Sequence, residues 1–233
     1  KNNSLVCVGL DQGEFEFNKK IIDQTHDLVC AYKPNFAFYE ALGAKGWENL
    51  GKTVEYIQRY HPGVVTIADA KRADIGNTNQ GYVTAIFDEL KFDSVTVNPY
   101  FGREALQPFL DRVDKGIIIL CKTSNPGSGE FQDLIWEKVA RNVIEDWNKN
   151  NNCLLVAGAT YPKELGQIRK IVGEMTLLVP GIGSQGGDVE KTVKAGLNSA
   201  RAGMIINSSR GIIFSKNPRL ETQKLRDEIN KYR

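Results

Sequence analysis

Little in this chain of 233 residues suits metal ligation or covalent cross-linking. His26 and His61 are its only histidines, which excludes a His-rich metal centre. The four cysteines, Cys7, Cys30, Cys121 and Cys153, form no CxxC pair and have no histidine at ligand spacing. Each stands in or beside a run of Val, Leu and Ile, so they read as buried free thiols of a reducing compartment. No metal site is expected. An excess of charge of one sign is also missing. Lys and Arg number 30 against 28 Asp and Glu, a net charge of +2. That balance argues against nucleic acid or another polyanion held by bulk charge. No apolar run approaches the roughly 18 residues of a membrane span. No secretory signal is visible from Lys1. No GxSxG elbow, Gly/Ser linker, internal repeat or low-complexity block is present.

What is present is ordinary globular usage, 41% apolar and 25% charged, which does not fit a disordered chain. Short apolar runs begin near Leu5, Leu28, Val64, Ser94, Ile117, Leu154, Leu177 and Ala202. They recur about every 28 residues, the length of one strand plus a crossover helix. Several are continuous, such as Ile117 to Leu120, as in parallel strands covered on both faces. Between them lie helical stripes: Leu50, Val54 and Ile57; Ile135, Val139, Val143, Ile144 and Trp147; Leu165, Ile168 and Val172. The expected fold is α/β, a (β/α)8 TIM barrel occupying residues 1–233 as a single domain. A doubly wound open sheet is the structural alternative.

A barrel places its chemistry just beyond the C-terminal ends of its strands. Polar residues gather at those places: Asp11 after strand one, Lys33 and Asn35 at strand two, Asp69, Lys71 and Asp74 at strand three, Ser124 after strand five. Alternation along strand three puts Val65, Ile67, Asp69 and Lys71 on one face, with the last two inward at the top. Carboxylates flanking an ammonium favour its charged form, which suits proton delivery and opposes Schiff-base chemistry. A structural ion network satisfies the same charges and stays open as a reading. Two further segments, Pro180 to Asp188 and Ser208-Ser209-Arg210-Gly211, fall where this fold binds phosphate. Arg210 fits as an oxyanion fork and Gln185 as a lid contact; Ser184 reads as lid or turn. Arg72 reads as an ion-pair partner, the three tryptophans as helix packing, and Asn98-Pro99-Tyr100 as either substrate-positioning or loop-shaping.

The stretch Ala68-Asp69-Ala70-Lys71-Arg72-Ala73-Asp74-Ile75-Gly76-Asn77-Thr78 carries the pattern D-x-K-x-x-D-I-x-x-T. Together with Lys33-Pro34-Asn35, Lys122-Thr123-Ser124-Asn125-Pro126, Pro180-Gly181-Ile182-Gly183-Ser184-Gln185 and Ser208-Ser209-Arg210-Gly211, in that order, it resembles the orotidine 5′-phosphate decarboxylase family. The likeness runs from about Leu5 to Ile213 and is strongest to the bacterial and malaria-parasite-like branch. The segments Asp11 to Phe17 and Leu134 to Glu137 look shorter than in that branch.

The resemblance implies metal-free loss of CO2 from orotidine 5′-monophosphate to give UMP, the last step of UMP synthesis, with no pyridoxal phosphate, thiamine or other cofactor. It implies that Lys71 protonates C6, that Asp69 lies near the departing carboxylate, and that Lys33 joins the charged chain. It implies a cytoplasmic homodimer in which Asp74 and Thr78 reach the partner's ribose. Asp11 would hold a ribose hydroxyl and Ser124 the pyrimidine amide. Asn35 would contact substrate. Ile75 and Pro180 would line the apolar side, and Gln185 and Arg210 would grip the phosphate. Three other readings remain: a metal-dependent sugar-phosphate enzyme sharing the strand-three motif, a Schiff-base aldolase, and a barrel that binds nucleotide without catalysis.

Overall fold

The computed structural model describes residues 2–183 and 186–233. Eight parallel strands close in chain order: β1 (Val6–Leu10), β2 (Ala31–Pro34), β3 (Val65–Arg72), β4 (Ser94–Val97), β5 (Gly116–Lys122), β6 (Cys153–Ala157), β7 (Leu177–Pro180) and β8 (Met204–Ser208). β1 closes the ring, with Cys7 opposite Ala31 on one side and Asn207 on the other. The strands begin close to the apolar runs that marked them. The largest offset is at β2, where the Leu28 amide turns back to the Thr25 carbonyl.

Around the barrel run α1 (Phe15–Thr25), α2 (Phe36–Glu40), α3 (Gly43–Tyr60), α4 (Gly76–Val83), α5 (Gly102–Leu110), α6 (Gly129–Asn142), α7 (Pro162–Val172), α8 (Val189–Gly196), α9 (Arg210–Ile213) and α10 (Pro218–Lys231). The α3 stripe of Leu50, Val54 and Ile57 is fully buried, and so is that of α7. The α6 stripe needs correction. The helix widens into a π turn over Val143–Trp147. Val139, Val143 and Trp147 stay buried four residues apart, but the altered pitch leaves Ile144 off the stripe, and Ile135 is exposed as well.

Strand alternation divides the apolar residues into two layers. One set packs outward under the helices. The other fills the barrel: Cys7, Ala31, Ile67, Ile118, Val156 and Leu178 form a dry floor contributed by six strands. Burial raises all four thiols, those of Cys30, Cys121 and Cys153 to about 12. They are unreactive packing groups.

Candidate active site

Two residues above the floor, the inward face changes on several strands. Ala31 is followed on the same face by Lys33, Ile67 by Asp69, and Leu178 by Pro180. A cavity of about 470 Å³ opens here, bordered by Asp11, Lys33, Asn35, Asp69, Lys71, Ser124, Pro180 and Arg210 among others. Its size suits a small-molecule ligand.

Asp69 is the hub. Its Oδ2 accepts from Lys33 Nζ at 2.6 Å, and its Oδ1 from Lys71 Nζ at 2.5 Å and Thr96 Oγ1 at 3.1 Å. Burial penalises this carboxylate, but the two ammoniums outweigh it and hold the acid well below the usual range. Burial likewise opposes the Lys33 charge, and the anions of Asp69 and Asp11 more than restore it, so its pKa is raised. The two lysines differ in access to water. The Lys33 side chain is 6% exposed and that of Lys71 is 49% exposed.

Lys71 reaches its place by a route that alternation alone does not describe. The β3–β4 register shifts between Ala68 and Arg72, and Lys71 takes a left-handed backbone with φ +47°. A side chain other than glycine is strained there. Its amide leaves the strand ladder and donates to Thr96 Oγ1 at 3.0 Å. Past the bulge, Arg72 turns outward, pairs with Glu40 and lies over the Phe36 and Tyr82 rings, as an ion-pair partner should.

Beside Lys33 and Asn35, Asp11 follows β1, the strand paired with β2. Ser209 Oγ donates to its Oδ2 at 2.5 Å, while Oδ1 is buried and has no partner. Gly9 makes the approach of Ser209 possible, because a Cβ there would stand 2.8 Å from Ser209 Cβ. Ser124 sits where β5 meets β6. A Cβ on Gly158 would come within 2.9 Å of Ser124 Cα. Gln132 clamps the preceding residue: its Oε1 accepts from the Thr123 amide at 2.8 Å, and its Nε2 donates to Thr123 Oγ1 at 2.9 Å. Arg210 opens α9 and borders the cavity beside Gly181 and Ile182. Gln185 lies outside the described residues.

Asp74, Ile75 and Thr78 do not border this chain's own cavity. Past the bulge the backbone runs outward: Ile75 is extended and 60% exposed, and α4 starts at Gly76. Asn79 fixes this outward turn, donating from its buried amide to the carbonyls of Asp74 at 2.6 Å and Ala105. Asn98 caps its own turn by accepting from the Tyr100 amide at 3.0 Å, and Tyr100 is exposed, so this segment shapes a loop. Lys122 is buried away from the cavity, 2.6 Å from Asp133 and above the Tyr161 ring.

Thr96, Gln132, Asn207 and Ser209 also border the cavity and were missed as site residues. Alternation from Ser94 on β4 and from Ile205 on β8 would have found Thr96 and Asn207. Among the described residues no group of three or more His, Cys, Asp or Glu side chains is arranged to hold a metal ion.

A closed ring of parallel strands with its ionisable residues at the C-terminal mouth defines an enzyme-type (β/α)8 barrel. The sequence pattern described as "Orotidine 5′-phosphate decarboxylase / HUMPS family" matches residues 4–225. An orotidine 5′-phosphate decarboxylase of an Azoarcus species is 46% identical over 260 aligned positions, spanning 100% of this chain and 96% of its own length. The OMP decarboxylase structure of Leishmania donovani superposes with a TM-score of 0.93 at 39% identity, over 99% of this chain and 94% of that one. The UMP synthase structure of Leishmania donovani gives 0.95 at 41% identity, and there this chain covers 54% of the other. The chain belongs to the orotidine 5′-phosphate decarboxylase family.

Proposed function

We propose how the residues at this mouth divide the work of the family's reaction, loss of CO2 from orotidine 5′-monophosphate to give UMP. That reaction, a carboxy-lyase step completing UMP synthesis, is the chain's activity. When the C6–carboxylate bond breaks, its electron pair stays on C6, in an orbital that ring resonance spreads poorly. A fixed ammonium beside C6 stabilises that charge and then delivers a proton to it. Lys71 is the group for both tasks. The observation that carries the reading is the Lys71 ammonium, half in water and 2.5 Å from a buried carboxylate that Lys33 also holds. Asp69 holds Lys71 aimed through their 2.5 Å contact. Once Lys71 has given its proton to C6, its exposure lets it regain one from solvent.

Binding follows from the remaining lining. Asp11, which borders the cavity, accepts a ribose hydroxyl. Lys33 and Asn35 lie on the same side, and Ser124 reads the pyrimidine amide. Pro180 supplies apolar contact. Arg210, with Gln185, takes the phosphate, whose binding energy is used at the distant ring. An ultraviolet assay of orotidine 5′-monophosphate turnover with EDTA present tests the assignment. Turnover by the parent and a loss of about 10⁴-fold or more in Lys71→Ala is expected. Turnover retained in the variant, or abolished in the parent by EDTA, overturns it.

The working unit of this reading is a cytoplasmic homodimer. Asp74 and Thr78 leave their own cavity while Ile75, Tyr100 and Phe101 stand exposed, which supports their delivery to a second copy's site. Mixing inactive Lys71→Ala with inactive Asp74→Asn tests this. A mixed dimer carries one site with both native residues, so random pairing restores up to about a quarter of parental activity. No recovery after subunit exchange places Asp74 in its own site.

A further inference from the structure

Thr96 stands at the one point where the strain, the general acid and its carboxylate meet. It is 1% exposed, lines the cavity and lies on β4 facing the β3 bulge. Its single hydroxyl serves two partners. The oxygen accepts from the Lys71 amide at 3.0 Å, and the hydrogen points to Asp69 Oδ1 at 3.1 Å, nearer than the Ala68 carbonyl at 3.5 Å. The Lys71 amide has left the regular ladder, so this hydroxyl is its acceptor. The backbone there is left-handed, with φ +47° on a lysine, a conformation that persists only where surroundings hold it. The same oxygen therefore anchors the main chain of Lys71 and helps orient the carboxylate that its ammonium grips.

We propose that Thr96 is a positioning residue: its hydroxyl pins the strained Lys71 backbone to β4 and sets the Lys71–Asp69 pair in register for the reaction. This rests on the reading of Lys71 as proton donor. Thr96 needs no contact with substrate for this role. It acts on the step in which C6 gains its proton, not on the affinity of the nucleotide. β4 must accordingly be polar at this inward position.

Thr96→Val keeps the branched strand shape and deletes only the acceptor and donor, and Thr96→Ser restores both. Loss of a hydrogen bond of this kind should lower kcat about 10- to 100-fold in Thr96→Val. KM for orotidine 5′-monophosphate and the Kd for UMP should stay within about threefold, and Thr96→Ser should return kcat to within about threefold of the parent. Hydrogen exchange at the Lys71 amide should quicken in Thr96→Val and not in Thr96→Ser. Should the valine variant not fold, Thr96→Ala is judged by the same measures. A kcat near the parental value in Thr96→Val, a loss that serine does not rescue, or unchanged exchange at Lys71 overturns the proposal. If the parent itself fails to turn over the nucleotide, the functional reading falls, and exchange at the Lys71 amide alone decides whether Thr96 holds that backbone.

Discussion

The floor and the rim of this barrel are built on the same strands, two residues apart, and obey opposite rules. In the floor, Ile67, Ile118, Val156 and Leu178 form one buried apolar cluster. At the rim, Lys33 and Asp69 occupy the next inward positions of their strands, with Thr96 of β4 beside them, all buried and held by hydrogen bonds and charge. Strand geometry fixes the address of a side chain, and the residue type decides whether that address is packing or chemistry. The floor is stable because it can be dry. The rim is stable only while Lys33 and Asp69 are both present, since a buried charge that loses its partner is costly.

The contrast is sharpest in paired substitutions. Lys71→Ala should abolish turnover by about 10⁴-fold while moving the thermal midpoint by only a few degrees, because its side chain is half in water. Ile118→Ala should do the reverse, costing about 2–5 kcal/mol in urea unfolding with kcat within severalfold of the parent. A stable, inactive Ile118→Ala would erase the distinction between the two layers.

A second test is pH. The Asp69 carboxyl is lowered in the folded chain from its ordinary 3.8. Its contribution is therefore complete above about pH 4 and drains away as pH falls toward the folded value. The Lys33 ammonium is raised from its ordinary 10.5. Its contribution is complete below about pH 10 and is lost as pH rises through the folded value. Thermal midpoints measured from pH 2 to 12 should fall at both ends in the parent and keep that shape in Ile118→Ala. Asp69→Asn should flatten the acid limb; an unchanged limb would assign it to other carboxylates.

The smallest expected effect lies at the β1–β8 seam. Ser209→Ala removes the donor that fixes Asp11. KM should rise about three- to tenfold with kcat nearly unchanged. A fall in kcat at constant KM would tie Asp11 to the chemical step instead.

Much of this arrangement is legible in the sequence. The eight apolar runs predict the strands, and D-x-K-x-x-D marks the charged rim, because period-two alternation and strand-end location are local rules. What escapes is whatever depends on a neighbouring strand. Lys71 reaches Asp69 through a bulge whose register shift is defined only against β4. Thr96 looks like an ordinary β-branched strand residue until that bulge turns an amide toward it. Ile144 fits an ideal helical stripe and is displaced by a π turn that no single residue announces. Ile75 sits inside the motif, and only the outward turn of the chain there shows that it stands clear of its own chain's cavity. Gly9 and Gly158 read as generic small residues, and only the approach of Ser209 and Ser124 shows what a methyl group would strike.

The seam between β1 and β8 has a consequence in time. Val6 pairs with Ile206, and the Asp11 carboxylate receives its donor from Ser209, 198 residues later in the chain. Contacts of such sequence separation form late, since the loop-closure entropy must be overcome before they reward it. A nascent chain that has emerged only as far as β7 has Lys71 in place, but the ring is open and Asn207, Ser209 and Arg210 are missing from the cavity's border. Catalytic competence in this molecule should therefore arrive in one step, with the docking of β8, and not accumulate strand by strand.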